Sequence, residues 1–221
     1  MVDYVVTGLS ANSVSYSTAL ERQRALHAAV ASGRAPDSVL LLEHPSVYTA
    51  GKRTEPHERP VDSDIPVIDV DRGGKITWHG PGQLVGYPIV RLADPIDVAA
   101  YVRRLEQLLI DVIADFGVVG ERIPGRSGVW IERVGGQPDK IAAIGIRVAE
   151  GVTMHGFSLN CNNDLEPYRA IIPCGIRDAG VTTLSRELGR AVTPEDVASR
   201  VIERFEAALE GSLAHSSAVL A

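Results

Sequence analysis

Thiols are scarce in this sequence. Cys161 and Cys174 are the only two among 221 residues, and they sit in neither a Cys-x-x-Cys pair nor a zinc spacing. With no His-x-x-x-His either, no metal is expected. Long apolar runs are missing too. Nothing approaches the roughly 18 residues of a membrane span and no charged and apolar leader opens the chain, so the cytoplasm is the expected compartment, with no membrane partner. A positive balance is also lacking: the formal net charge is −6, which gives no support to nucleic-acid binding. An acidic protein partner needs only a local basic patch, which Lys52, Arg53, Arg72, Lys75, Arg122 and Arg126 can supply. Neither G-x-x-x-x-G-K-[ST] nor G-x-G-x-x-G occurs, and Gly80-Pro81-Gly82 is too isolated a signal for a nucleotide. Gly125-Arg126-Ser127-Gly128 is not a G-x-S-x-G elbow. No cofactor is expected.

What is present is ordinary for a globular chain: 45% hydrophobic and 23% charged residues, enough to exclude disorder. The stretch Arg72-Gly73-Gly74-Lys75-Ile76-Thr77-Trp78-His79-Gly80-Pro81-Gly82-Gln83 stands out. It reads as too polar and too rich in glycine for a core segment, with only residues 76–78 suited to a strand. Its charged and polar side chains alternate with glycines, as in a loop that walls a pocket.

Around it, strands are expected at 2–6, 39–42 (a continuous apolar run, fit for burial on both faces) and 65–70. Another is expected at 84–90, with Pro88 suggesting an edge or strand-end position. Residues 52–64 read as an exposed loop. Strands at 128–131, 141–148 and 153–161, joined by short links, suggest an antiparallel meander. Helices are expected over 15–31, from an Asp97 cap to Gly117, and from Thr193-Pro194-Glu195-Asp196 to near Gly211. Residues 212–221 are expected to fray as a disordered tail. With no linker and no repeat, one mixed α/β domain over residues 1–211 is the economical reading.

Cys174 lies between Pro173 and Gly175, which argues for a fixed turn and a defined direction for its sulfur. Cys161 closes a strand pattern and reads as buried filler. A thiol near pKa 8.5 is only about 3% thiolate at pH 7; lowering it to about 7 gives roughly half, for about 2 kcal/mol. A cation or base must supply that. Lys140 opens a nearly uncharged run, where partial burial would suit it to act as base and then acid, although a lysine beside a turn is more often simply solvated. His79 and His155, each before a glycine, are the alternatives. His155 shares strand parity with Phe157 and Leu159, so a core histidine is an equal reading.

Four segments in register then resemble the octanoyl-(acyl carrier protein):protein octanoyltransferases, also called lipoyl(octanoyl) transferases. Residues 72–83 are similar to the family's R-G-G-x-x-T-x-H-G-P-G-Q. Lys140-Ile141-Ala142-Ala143-Ile144-Gly145 resembles K-I-A-x-x-G, His155-Gly156-Phe157-Ser158-Leu159-Asn160 resembles H-G-x-x-L-N, and Ile172-Pro173-Cys174-Gly175-Ile176 resembles I-x-P-C-G-I. Glu43-His44-Pro45 with Tyr48-Thr49-Ala50-Gly51 also fits.

The resemblance implies an acyltransferase of lipoate biosynthesis in which Cys174 carries the octanoyl group as a thioester and Lys140 activates it. It implies a substrate pocket from Arg72, Gly73, Gly74, Lys75, Ile76, Thr77, Trp78 and His79, with Ala143, Ile144, Gly145, Gly156, Phe157 and Ser158, and His155 in support. It implies the α/β (α+β) fold of biotin and lipoate protein ligase catalytic domains: one domain, a mixed, largely antiparallel sheet flanked by helices. The implied partners are octanoyl-acyl carrier protein and the lipoyl domains of 2-oxoacid dehydrogenases and the glycine cleavage H protein, met by a monomer. Small Ala142, Ala143, Gly145 and Gly156 would leave room for an eight-carbon chain, worth roughly 0.8 kcal/mol per buried CH₂. Backbone N–H groups at Gly175 or near Gly80 are candidate oxyanion donors. An ATP-dependent lipoate or biotin ligase is the alternative and would act on free acid. A cysteine thioesterase would need no amine acceptor, and a non-catalytic acyl-carrier or lipoyl-domain binder would survive loss of Cys174.

Overall fold

A computed structural model describes residues 2–10, 13–172, 175 and 178–214. β1 (Asp3–Val6) leads into α1 (Tyr16–Ala31), which starts where the Ser15 hydroxyl accepts from the Thr18 N–H. β2 (Ser38–Leu42) is buried along its whole length, and β3 (Val47–Ala50) follows. β4 (Val67–Asp69) precedes the glycine-rich stretch, β5 (Thr77–His79) lies inside it and β6 (Gln83–Ile89) starts at its last residue. α2 (Val98–Ala114) is capped by Asp97, whose carboxylate accepts from the Ala100 N–H at 2.8 Å. After β7 (Glu121–Ile123) come β8 (Arg126–Ile131), β9 (Asp139–Ala149) and β10 (Val152–Asn160), the expected meander. β11 (Gly180–Val181) and the short α3 (Leu184–Leu188) precede α4 (Pro194–Ala208), opened by a Thr193–Asp196 capping box.

The main sheet has the order β1-β2-β6-β10-β9-β8-β7, with β11 beside β9; a smaller sheet has the order β4-β3-β5. In the main sheet β1–β2 and β9–β11 are parallel and the other pairings antiparallel, so it is mixed and largely antiparallel, with helices against it as expected. Alternation along the strands sorts the two faces. Val39, Leu41 and Leu84 join Leu105, Leu109, Val201 and Phe205 in the core under α2 and α4. Leu40, Leu42, Val85 and Tyr87 point the other way, to Tyr16 and Ala19 of α1.

Several expectations need correction. Of the two positions expected for Pro88, the strand end holds, since it is the penultimate residue of β6, but the edge does not, because β6 runs between β2 and β10. The Pro88 carbonyl faces β10 and accepts from the Thr153 hydroxyl at 2.7 Å, so the missing N–H also points there, where paired residues stop at Gly86–Phe157. The interruption absorbs the proline. Residues 52–64 are not wholly an exposed loop, because Pro56–Glu58 forms a 3₁₀ turn and Glu58 is buried. The strand expected over 65–70 shrinks to β4. The glycine-rich stretch, read as unable to pack, buries Ile76, Trp78 and Gln83 almost completely. Arg72, His79 and Gln83 find hydrogen-bond partners there, most of them on Thr49, Asn160 and Tyr168, which offsets the cost of burying them. Residues 212–214, expected to fray, pair with 91–93 through a Leu92–Leu213 bridge, and the Ala214 N–H donates to Arg91. The rest of the expected tail lies outside the described residues.

Candidate active site

On the α1 side of the main sheet, where the small sheet meets β9 and β10, lies a cavity of about 260 Å³. Lys140 reaches it through an irregularity. β8 and β9 pair Val129 with Ala142 but Trp130 with Lys140, so Ile141 is an extra residue on β9. Strict alternation would put Lys140 on the face of Ala142, in the α2 core. The bulge turns it to the opposite face, with Ala143 and Gly145. There its ammonium stands 4.5 Å from the centre of the Trp130 ring, and its side chain is 7% exposed.

Of the glycine-rich stretch, Arg72, Gly74, Lys75, Thr77 and His79 line the cavity. The other three expected binding residues do not. Gly73 donates its N–H to Ile146 at 2.9 Å, joining the small sheet to β9. Ile76 and Trp78 pack with Tyr48, Tyr168 and Ile171 behind the wall. From β9 and β10, Ala143, Ile144, Gly145, Gly156, Phe157 and Ser158 all line it, and so does His155.

The glycines do not leave the room expected of them. A Cβ on Gly145 would lie 3.0 Å from Arg72 Cδ, and one on Gly156 would lie 2.1 Å from the Gly86 carbonyl oxygen. They admit close neighbours instead of an acyl chain. Ala142 joins the α2 core and borders only a small space behind the main cavity.

A buried polar chain runs along the wall. Arg72 donates to the Thr49 carbonyl at 2.7 Å and to its hydroxyl at 3.0 Å. His79 Nδ1 donates to Gln83 Oε1 at 2.7 Å, leaving Nε2 to accept from the Thr49 hydroxyl at 3.3 Å. Gln83 in turn donates to Asn160 and to Tyr168, each at 2.9 Å. Burial, then the neighbouring His44, brings the His79 ring down to about 3, and burial brings His44 down to about 4, so both are neutral. Farther along, His155 donates from Nε2 to Asp71 at 2.8 Å, and Asp71 also pairs with Arg147. Burial would raise the Asp71 carboxyl, but those partners hold it below its usual range. Burial lowers His155 against the pull of Asp71. His155 has φ 58°, uncommon for a residue with a side chain, and lies where the β6–β10 pairing breaks.

Cys174 falls outside the described residues, but the chain on both sides of it is placed. The Ile172 N–H donates to the Glu58 carbonyl at 3.3 Å. Gly175 has φ 71° and sits so close to Lys75 that a Cβ would be 2.3 Å from Lys75 Cδ. Lys75 is ion-paired with buried Glu58. The Gly175 N–H already donates to Ile172 at 2.9 Å, so as an oxyanion donor it is engaged. Downstream, Val181 pairs with Lys140 in β11, and the Thr182 N–H donates to the Lys140 carbonyl. Cys161 is fully buried, and burial pushes its thiol up to about 12, in keeping with a filler role. Among the described residues no cluster could hold a metal.

The family model of the lipoyl protein ligase A/B catalytic domain matches residues 15–206. The chain belongs to that family. Within the lipoyl protein ligase A/B family, octanoyltransferases are among its similar relatives. That of Clavibacter sepedonicus is 70% identical over 89% of this chain and 86% of the relative. That of Renibacterium salmoninarum is 57% identical over 99% and 95%. Two solved structures share the fold: a bi-partite lipoate protein ligase from Thermoplasma acidophilum (TM-score 0.66, 18% identity, 94% of this chain and 82% of the other) and lipoate-protein ligase A bound with ATP (0.63, 15%, 94% and 84%).

Reading the sequence passed over Tyr16, Tyr87, Asp71 and Glu58, which border or brace this site. Asp71 directly precedes the glycine-rich stretch, and that adjacency was the available signal. Tyr16 and Tyr87 lie inside an ordinary helix and an ordinary strand and carried none.

Proposed function

We propose that this chain moves an octanoyl group from acyl carrier protein, through a thioester on Cys174, to a lysine amine of a lipoyl domain. The observation that carries the reading is the anchoring of the segment around Cys174: it starts at Glu58 beside Lys75 and ends paired with Lys140, two residues that border the cavity or brace its wall. The 57–70% identity to octanoyltransferases supports the same substrate.

In the first step the Cys174 thiolate attacks the donor's carbonyl carbon. A new C–S bond forms, the old one breaks, and the departing carrier sulfur takes a proton held at Lys140. In the second step the acceptor nitrogen attacks the Cys174 thioester and Lys140 takes its proton. The C–S bond breaks to leave the Cys174 thiolate, and the proton stays on Lys140, which restores the state from which the first step began. Phe157, Ile144 and Ala143 offer the acyl chain apolar contact at roughly 0.8 kcal/mol per buried CH₂.

The carrier domain and the lipoyl domains of 2-oxoacid dehydrogenases and the glycine cleavage H protein are the proposed partners of a cytoplasmic monomer. Among the described residues no helix is long and apolar enough to cross a membrane.

Incubation with octanoyl-carrier protein should add one octanoyl group to the wild-type chain by intact mass, and Cys174→Ser should abolish the adduct. An unchanged adduct in that variant, or activity that needs ATP and free octanoic acid, overturns the reading.

A further inference from the structure

Three buried polar groups in the cavity have no fixed partner among the described residues. Lys140 is 7% exposed, Thr77 6% and Ser158 4%. Neither hydroxyl makes a hydrogen bond there, and the ammonium has only the Trp130 ring face. All three line the main cavity and also the space of about 10 Å³ behind it, which Asn160 and Tyr168 border as well. That space is close to what one water needs. Buried hydroxyls are normally satisfied, so two that converge with a buried lysine call for a shared partner.

Resting on the acyl-transfer reading, we propose that Thr77 and Ser158 are positioning residues for Lys140, holding its nitrogen directly or through one water. The two hydroxyls come from different sheets. Thr77 pairs with Thr49 in the small sheet, and Ser158 pairs with Ala143 in the main one, beyond the bulge that turns Lys140 inward. A hydroxyl both donates and accepts, so the pair accepts from the ammonium and donates to the neutral amine. A carboxylate would only accept and would hold the lysine protonated. Among the described residues no carboxylate lines either cavity. The charged groups that do are Arg53, Arg72, Lys75 and Arg126, accompanied by two neutral histidines and three phenols. That setting suits a lysine that must lose and regain a proton at each turnover.

The test is single-turnover transfer from pre-acylated enzyme to a lipoyl domain, followed against pH. Ser158→Ala removes one oxygen and leaves the strand pairing intact. Thr77→Val keeps the side-chain shape, and Thr77→Ser restores the hydroxyl. Ser158→Ala and Thr77→Val should each slow transfer roughly tenfold to a hundredfold and displace the pH limb of the general base. Thr77→Ser should return both rate and limb to the wild-type values. A pH profile superimposable on that of the wild type, with the loss confined to KM or no loss at all, overturns the assignment. Failure of the wild-type enzyme to form any acyl adduct would instead overturn the acyl-transfer reading itself.

Discussion

Two charged side chains are buried against opposite faces of β8 and β9, and they are treated very differently. Glu106 on α2, 1% exposed, is fully engaged: Arg103 and Arg122 pair with one oxygen, at 2.9 and 3.2 Å, and the Gly128 N–H donates to the other at 3.0 Å. Lys140 is nearly as buried but has an aromatic face and no carboxylate among the described residues. A satisfied buried charge fixes structure, here by tying α2 to β8 through the Gly128 N–H. Lys140, with no counter-charge among the described residues, faces a cavity instead, where a bound group can reach it.

Replacement of each charge should separate the two cases. Lys140→Met is expected to lower acyl transfer by about 10² to 10⁴-fold with an unchanged or higher Tm, since it removes an uncompensated charge. Kinetics and thermal unfolding on the same preparation check it, and a large loss of Tm would place Lys140 with Glu106 as a structural residue. Glu106→Ala should cost about 2 to 3 kcal/mol in denaturant unfolding, because the Gly128 N–H loses its acceptor while the two half-exposed arginines can turn to water. Acyl-adduct formation in the folded fraction should persist.

The buried histidines sharpen the contrast as groups kept neutral. His44 and His79 are lowered to about 4 and about 3 by burial, whereas the unfolded chain titrates near the ordinary value of 6.5. The unfolded state therefore binds more protons below that value. Their contribution is complete above about pH 6.5 and is lost as pH falls toward the folded values, at up to ~1.4 kcal/mol per pH unit for each ring. Tm should fall on acidification, and His79→Asn should make the fall shallower. An equally steep fall in that variant would remove His79 as a cause.

How much could be read beforehand follows from how local each signal is. Asp97 and the Thr193–Asp196 box mark helix starts within four residues of sequence and cap as expected, and Ser15, read as the first residue of its helix, proves to be the cap. The polar wall could be placed at residues 72–83 because glycines and hydrogen-bonding side chains alternate there. Its burial could not, because Arg72, His79 and Gln83 find partners at Thr49, Asn160 and Tyr168, distant in sequence. Pro88 in a central strand and Lys140 on the cavity face both depend on pairing irregularities between strands. A period-two pattern in one strand carries no trace of its neighbour's register.

The passage of Arg72 between Gly51 and Gly145 has a last consequence. A Cβ at either glycine would lie about 3 Å or less from that side chain, and the Gly73 amide is tied to β9 beside it. The two sheets are thus pinned to one another at the wall of the cavity. Ordering that wall is accomplished during folding, so that an acyl tail bound there as proposed would meet a finished mould.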